Sequence, residues 1–334
     1  MNIYDISKKA GVSTATVSRV INGSKQVSEK TRQKVLTIMN EMGYTPNIFA
    51  RGLMFNSMNT VGVMTIDVDD MYYASSIHTI TNELRLKNYD MILLSTGKDI
   101  ENKKKYMKLL TDKKVDGIIL VGSAFKETND NTHILEAANN IPVVIINGII
   151  EGANVYSIAC DESKATYELY AYLSNKGHKT ISYVYDVQTF SAIQKLNGYK
   201  SALKKAGTPI SDAVIIKTCS GFKGGLEAAE KILELNNNNN NYNITAIITS
   251  EDILAAGIIK KFEMEKIKVP SQIAVTGFNN SIISICTSPS LTTVDNKVEA
   301  MSTMAVNLLL DAIKGKKIPS CTLIEPEIVF RDST

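Results

Sequence analysis

The chain has no tryptophan, three histidines and four cysteines in 334 residues. Cys160, Cys219, Cys286 and Cys321 lie far apart, with no Cys-x-x-Cys and no paired histidine. That argues against a zinc module and a disulfide framework and fits a reducing compartment. His78, His133 and His178 are scattered with no Ser/His/Asp set beside them, so no catalytic residue and no metal ligand is assigned. No Gly-x-Gly-x-x-Gly follows the first strand pattern and no Walker A motif occurs. Both gaps speak against a dinucleotide or ATP enzyme and leave no cofactor to expect. No run of ~18 apolar residues occurs, so no membrane span is expected. The start, MNIYDISKKAGVS, lacks a basic segment followed by an apolar run, so a cytoplasmic location is expected.

What is present is an ordinary globular composition, 44% hydrophobic and 21% charged, over a length that suggests two or three domains. The net charge of +3 hides an asymmetry. Residues 1–60 carry eight Lys or Arg against three acids, while the remainder carries 29 bases against 31 acids. A small basic head on a nearly neutral body is the electrostatic footprint of a nucleic-acid-binding domain joined to something else, although a merely soluble basic end would look the same.

Helical spacing organises the head. Ile3, Ile6 and Ala10 form one apolar stripe, Gly11-Val12-Ser13 breaks it, and Val17, Val20 and Ile21 form the next. Ser28 is placed to cap a third helix with Val35, Ile38, Met39 and Met42 inward and Gly43 at its end. Two short helices joined by a three-residue turn and buttressed by a third predict a helix-turn-helix. Thr14, Ala15, Ser18, Arg19 and Asn22 are left for the outer face of the second helix, which Ser13 can cap, and with Ser13 and Thr16 they are the candidate DNA contacts. They are small or polar and include one arginine that can reach a guanine edge or a phosphate. Pro46 turns the chain, and Ile48–Leu53 is a weak apolar helix too short to be stable alone.

From Val61 the pattern alternates. Apolar runs at 61–66, 91–95, 117–122 and 142–147, then at 181–185, 213–217, 246–250 and 273–278, suit buried parallel strands. Helical segments 102–113, 164–177, 193–206 and 253–265 lie between them. Two such sets predict two doubly wound α/β lobes with a ligand cleft at the carboxyl ends of the strands. Asn236–Asn241 predicts a surface loop, and 220–225, SGFKGG, a plain loop before a helix.

VSTATVSRVING and VSEKTRQKVLTIMNEMGYTPNIFARGL strongly resemble the head of the lactose/galactose repressor (LacI/GalR) family, nearly continuously from Ile3 to Leu53. The resemblance continues through the body. It implies an all-α helix-turn-helix domain at 1–45 and a hinge helix and linker at 46–59. The α/β body it implies is periplasmic-binding-protein-like, with lobes 60–160 plus 291–321 and 161–290 plus 322–334. The chain would then cross between lobes near 159–161, 289–291 and 321–322. It further implies operator contacts from the second helix and from Asn47, Ala50 and Arg51, with Leu53 wedged into the minor groove at the central base step. An effector cleft would involve Asp161, Lys195, Asp252 and Asn279.

Within the family the likeness leans to the catabolite-control regulators of Gram-positive bacteria, carried by Asn197-Gly198-Tyr199, Gly277-Phe278-Asn279-Asn280 and the ending Phe330-Arg331-Asp332-Ser333-Thr334. That implies a homodimer on a pseudo-palindromic DNA operator, regulated by serine-phosphorylated HPr. Helix positions Val298, Glu299, Val306 and Leu310 would form the co-repressor face. There the subfamily shows a Tyr-Asp pair, Arg and Lys, so Val306 and Leu310 stand where basic side chains would clamp a phosphoserine. Sugar-responsive members carry Asp at Asn279 and often Arg at Lys195, so a sugar or sugar phosphate would bind weakly. The alternative is a repressor of one sugar operon, answering to a small sugar in the cleft. Ile77, Ile80, Leu254 and Ile258 are candidates for the dimer interface, with lobe core as the competing assignment.

Overall fold

The structure, a computed structural model, describes residues 2–21, 24, 26–44, 58–237 and 242–334. The chain divides into two compact units, residues 1–59 and 60–334.

In the first unit, α1 (Ile3–Ala10) starts at Asn2, whose side chain accepts the Tyr4 N–H at 2.9 Å while Asp5 accepts the Asn2 N–H at 2.9 Å. This reciprocal cap satisfies donors the first turn would otherwise leave open. Gly11 ends the helix at φ +63, a left-handed conformation that glycine adopts without a Cβ clash. Ser13 then accepts the Thr16 N–H at 3.1 Å and opens α2 (Thr14–Ile21). Ser28 caps α3 (Glu29–Glu41) through the Thr31 N–H. Ile6, Ala10, Val17, Val20, Val35, Ile38 and Met39 close into one small core edged by Ile3, Val12, Ile21 and Met42. Each apolar position expected to face inward does so.

The second unit holds two parallel sheets. The N-lobe sheet contains β1 (Thr60–Thr65), β2 (Asp90–Ser95), β3 (Gly117–Val121), β4 (Val143–Ile146), β5 (Val155–Cys160) and β11 (Cys321–Ile324) in the order β11-β5-β4-β3-β1-β2. On one face α4 (Met71–Leu86) and α12 (Val298–Ile313) bury Ile80, Leu84, Met301, Ala305, Val306 and Leu309 against Val61, Val63, Ile119 and Val121. On the other, α5 (Ile100–Asp112) and α6 (Thr132–Ala138) cover Met64, Ile118 and Leu120. The alternation along β3 sends successive side chains to opposite helix layers, which explains an uninterrupted apolar run.

The C-lobe sheet runs β7-β6-β8-β9, from β6 (Ile181–Tyr185), β7 (Ile215–Lys217), β8 (Ala246–Thr249) and β9 (Ala274–Thr276). Helices α7 (Glu162–Asn175) and α8 (Phe190–Lys205) cover one face, and α9 (Gly221–Asn237) and α10 (Asp252–Met264) the other. The segment 220–225 is not the plain loop expected: Gly221–Gly225 begins α9. A Cβ on Gly225 would lie 2.8 Å from the Gly257 Cα, so these glycines let α9 and α10 approach backbone to backbone. Only the first two asparagines of the tract, closing α9, fall within the described residues up to 237.

The strand pairing also moves two of the three lobe crossings. Leu291 lies in a C-lobe core, Thr292 bridges Thr276 of β9, and Val294 of β10 (Thr293–Asp295) lies in the other C-lobe core. The second crossing therefore follows Asp295 rather than 289–291. Cys321–Ile324 pair in register with Ser157–Cys160, so the third follows Ile324 rather than 321–322. The segment then returns as β12 (Glu327–Val329), antiparallel to β10. These strands are three and four residues long, too short to show a period in the sequence.

Candidate functional site

In the first unit the candidate site is the outer face of α2. Ser13, Ala15 and Arg19 are exposed, and Thr14, Thr16 and Ser18 are half-buried beside the inward-facing Val17 and Val20. The Ser13 and Thr16 hydroxyls are 2.9 Å apart, so both are partly committed to the helix start. Lys8 and Lys9 stand exposed at the end of α1, with Lys9 paired to Glu41 at 3.4 Å. Asn22, Asn47, Ala50, Arg51 and Leu53, and most of the 46–59 segment, lie outside the described residues.

In the second unit the sheet register builds a row of polar side chains. β6 pairs with β8 at Val184↔Thr249, and β8 with β9 at Ile248↔Thr276. Past these strand ends Asp186, Glu251 and Asn279 follow β6, β8 and β9 at the carboxyl edge of the C-lobe sheet, where the Ser250 hydroxyl donates to Asp186 at 3.3 Å. From the N lobe comes Asp70, which caps α4 by accepting the Tyr72 N–H at 2.9 Å. Burial raises the Asp70 carboxyl, its two backbone hydrogen bonds oppose the shift, and Asp67 and Asp186 add to it. Burial likewise pushes Glu251 up to about 8, helped by Asp186 and opposed by Lys195. The two lobes thus bring carboxylates into one another's field.

The residues expected to grip a ligand are largely engaged elsewhere. Asp252, 2% exposed, accepts the Ser281 N–H at 2.6 Å, the Ser281 hydroxyl at 2.8 Å and the Thr293 hydroxyl. It is an internal brace between the α10 start and β10, and burial raises its carboxyl to about 6 against those hydrogen bonds. Lys195, 5% exposed, donates to the Ser250 carbonyl at 3.0 Å, lies 3.7 Å from Glu162 and sits 3.9 Å over the Phe278 ring. Glu162 in turn accepts the Asn147 amide at 3.1 Å, linking the end of β4 to the first turn of α7. Asp161 accepts the Lys164 N–H at 3.0 Å and serves as the α7 cap. Asn279, at φ +97, accepts from Asn296 at 3.0 Å and keeps a half-exposed place in the row.

Glu251, Asp186, Asp70 and Tyr72 are absent from the sequence-based set. A signal existed: an acid follows the ends of β1, β6 and β8, where a doubly wound sheet places its ligands. Choosing among such acids requires knowing which strands are neighbours.

The co-repressor face is a correction. Val298 is half-buried and Glu299 exposed, but Val306 and Leu310 are 0% and 3% exposed and pack in the N-lobe core. The exposed face of α12 runs one residue later, through exposed Asn307 and half-buried Asp311, the latter paired to Lys316 at 2.7 Å. Ile80, Leu254 and Ile258 are likewise fully buried within the protomer, leaving Ile77 half-exposed. Large apolar side chains exposed on α10 and at the short α11 (Ile283–Cys286) are instead Met264, Ile282 and Ile285.

Residues 2–47 match the model for bacterial regulatory proteins of the lacI family, and residues 170–334 that for a periplasmic-binding-protein-like domain. An HTH-type transcriptional regulator of Lachnoclostridium phytofermentans is 41% identical over 336 residues, covering all of this chain and 99% of the relative. Catabolite control protein A of Priestia megaterium is 31% identical over 338 residues, with coverage of 100% and 99%. Among solved structures, the lac repressor dimer bound to operator and the anti-inducer ONPF superposes with a TM-score of 0.86 at 23% identity, covering 100% and 98% of the two chains.

Proposed function

From the premise that this chain belongs to the LacI family and is a DNA-binding transcriptional regulator, we propose a repressor that binds a pseudo-palindromic operator as a homodimer and answers to a small ligand between its lobes. The observation that carries this reading is the pairing of an exposed α2 face around Ala15 and Arg19 with a row of cleft carboxylates from both lobes. In this reading Ser13, Thr14, Ala15, Thr16, Ser18, Arg19 and Asn22 meet the major groove. Asn47, Ala50 and Arg51 meet the backbone at the centre, and Leu53 wedges into a base step. Two-fold symmetry of the protein then requires two half-sites, and Met264, Ile282 and Ile285 supply apolar surface for the dimer.

Ligand control follows if the ligand favours one lobe arrangement by more than the other, because operator affinity moves only by that difference. The deciding experiment titrates operator and random DNA with the full chain, with and without candidate ligands. Equal affinity for both DNAs would reject the operator reading. A monomer by light scattering at micromolar concentration would reject the dimer.

A second reading, catabolite control through serine-phosphorylated HPr, draws on the 31% and 30% identity to catabolite control proteins. The face of α12 speaks against it, since Asn307 and Asp311 offer a phosphoserine no positive charge. Operator titration with phosphorylated HPr from the same organism decides it, and a hundredfold enhancement would restore that reading.

A further inference from the structure

The cleft holds more carboxylates than positive charge available to them. Lys195 is the base that acts on Glu251, and its ammonium is already shared among Glu162, the Ser250 carbonyl and the Phe278 ring. Among the described residues, the donors to Asp186 are neutral: the Val187 N–H at 3.0 Å and the Ser250 hydroxyl at 3.3 Å. Every acid facing Glu251 from a neighbouring element repels it: Asp186 after β6, Asp252 on α10 and Asp70 ahead of α4. The phenols Tyr73 and Tyr183 also lie within its field and remain neutral, held well above the usual tyrosine range by burial.

Three buried polar atoms beside this row have no partner. One is the Tyr183 hydroxyl, in the field of Glu162, Asp186 and Glu251. Another is the Tyr72 hydroxyl, which lies in the field of Asp70 and Glu162. The third is Oδ1 of Asn296, a residue 1% exposed whose amide nitrogen holds Asn279, the last member of the row. Buried polar atoms left open are costly unless something completes them. Donors and an acceptor left open beside surplus carboxylates describe a complementary ligand. A bare metal ion does not fit, since among the described residues no three His, Cys, Asp or Glu side chains come close enough to share one.

We propose that the cleft takes a small hydroxylated ligand bearing a protonated amine, with Glu251 and Asp186 receiving the ammonium, Asp70 adding to the negative field it enters, and Tyr72 and Asn296 receiving its hydroxyls. The inference rests on the reading of this cleft as the effector site and specifies the ligand's charge. A neutral sugar gives Glu251 no reason to ionise and brings Asp186 and Asp70 no positive charge, and a sugar phosphate adds to the repulsion. Binding the ammonium ionises Glu251, whose proton passes to the solvent. With its carboxyl pushed up to about 8, Glu251 is mostly protonated at pH 7, so ligand binding should release up to one proton.

The test is titration calorimetry of the full chain at pH 7, in two buffers of unlike ionisation enthalpy that are not primary amines. The probes are matched sets: glucosamine, glucose and glucose 6-phosphate; galactosamine and galactose; and an aminocyclitol with its neutral cyclitol. At least one amine should bind ten times more tightly than its neutral partner, with proton release of up to one per ligand. Glu251→Gln should reduce that advantage below threefold and abolish proton release, while its melting temperature at pH 7 stays at or above that of the parent. Equal binding of amines and neutral partners, no binding by any amine, or an advantage unchanged in Glu251→Gln overturns the proposal. If neutral sugars shift operator affinity and amines do not, the cleft remains the effector site and only its charge preference is wrong. If no probe shifts operator affinity, both readings fall.

Discussion

The head and the body place their functional side chains by different means. In the head, seven candidate contacts lie within ten residues, Ser13 to Asn22, and the six of them that are described follow directly from which side of one eight-residue helix is buried. In the body, Asp186, Glu251 and Asn279 follow three strand ends that strand order sets side by side, and Asp70, more than 200 positions before Asn279, enters their field from the other lobe. A helix face can be read from local spacing, whereas a row across a sheet depends on which strands are neighbours. The difference extends to polar side chains. Around α2 they face solvent, while Asp252 and Lys195, the obvious cleft candidates, are drawn into braces.

The largest expected effect tests whether the head is a separate unit. Ile6→Ala removes a fully buried side chain from a core of seven, which should cost about 2–5 kcal/mol. Operator binding should collapse while the calorimetric transition of the body stays in place. Loss of both transitions would mean the units do not fold apart.

Next in size is a pH effect confined to the body. Glu251 has an ordinary value of 4.5 and is raised to about 8 in the fold, so its protonated form is favoured by folding. Its contribution is fully present below about pH 4.5 and is lost as pH rises through 8, at most on the order of 5 kcal/mol across that window. Melting of the body at pH 5, 6.5 and 8 should show this fall, and Glu251→Gln should flatten it. A body that gains stability over the same range in the parent but not in the variant would contradict the burial of that carboxyl.

Smaller still, Arg19→Ala should weaken operator binding by ~1–3 kcal/mol if the guanidinium reads a base. Equal weakening on random DNA would assign it to a phosphate. The smallest effect distinguishes the surface of α12 from its core. Asn307→Arg should change body stability by no more than about 0.5 kcal/mol, whereas Val306→Arg should unfold the N lobe, as compared by urea titration. Similar midpoints for the two variants would show that the helix faces have been exchanged.

The α12 result illustrates how far the sequence could be read. Val306 and Leu310 look like substituted ligand positions when a motif is carried across without gaps, but a one-residue offset on a helix turns a side chain by about 100°. Burial decides which residue faces out, and it selects Asn307. The strand runs at 181–185 and 246–250 were legible because both faces of a parallel sheet are covered, which makes the whole run apolar. The strands β10, β11 and β12 were not, because each takes its partner from a segment distant in the chain.

By itself the sequence determined the three head helices, their inward stripes and caps, the alternation of strands and helices in the body, and the basic charge of the head. Each of these depends on neighbours within about four residues or on composition. Only the tertiary structure decided where the chain crosses between lobes, that Asp252 and Lys195 are braces, and that Asp186, Glu251 and Asp70 share one electrostatic environment. Those outcomes depend on pairings between distant segments and on water being excluded from the space they enclose, and neither has a local signature.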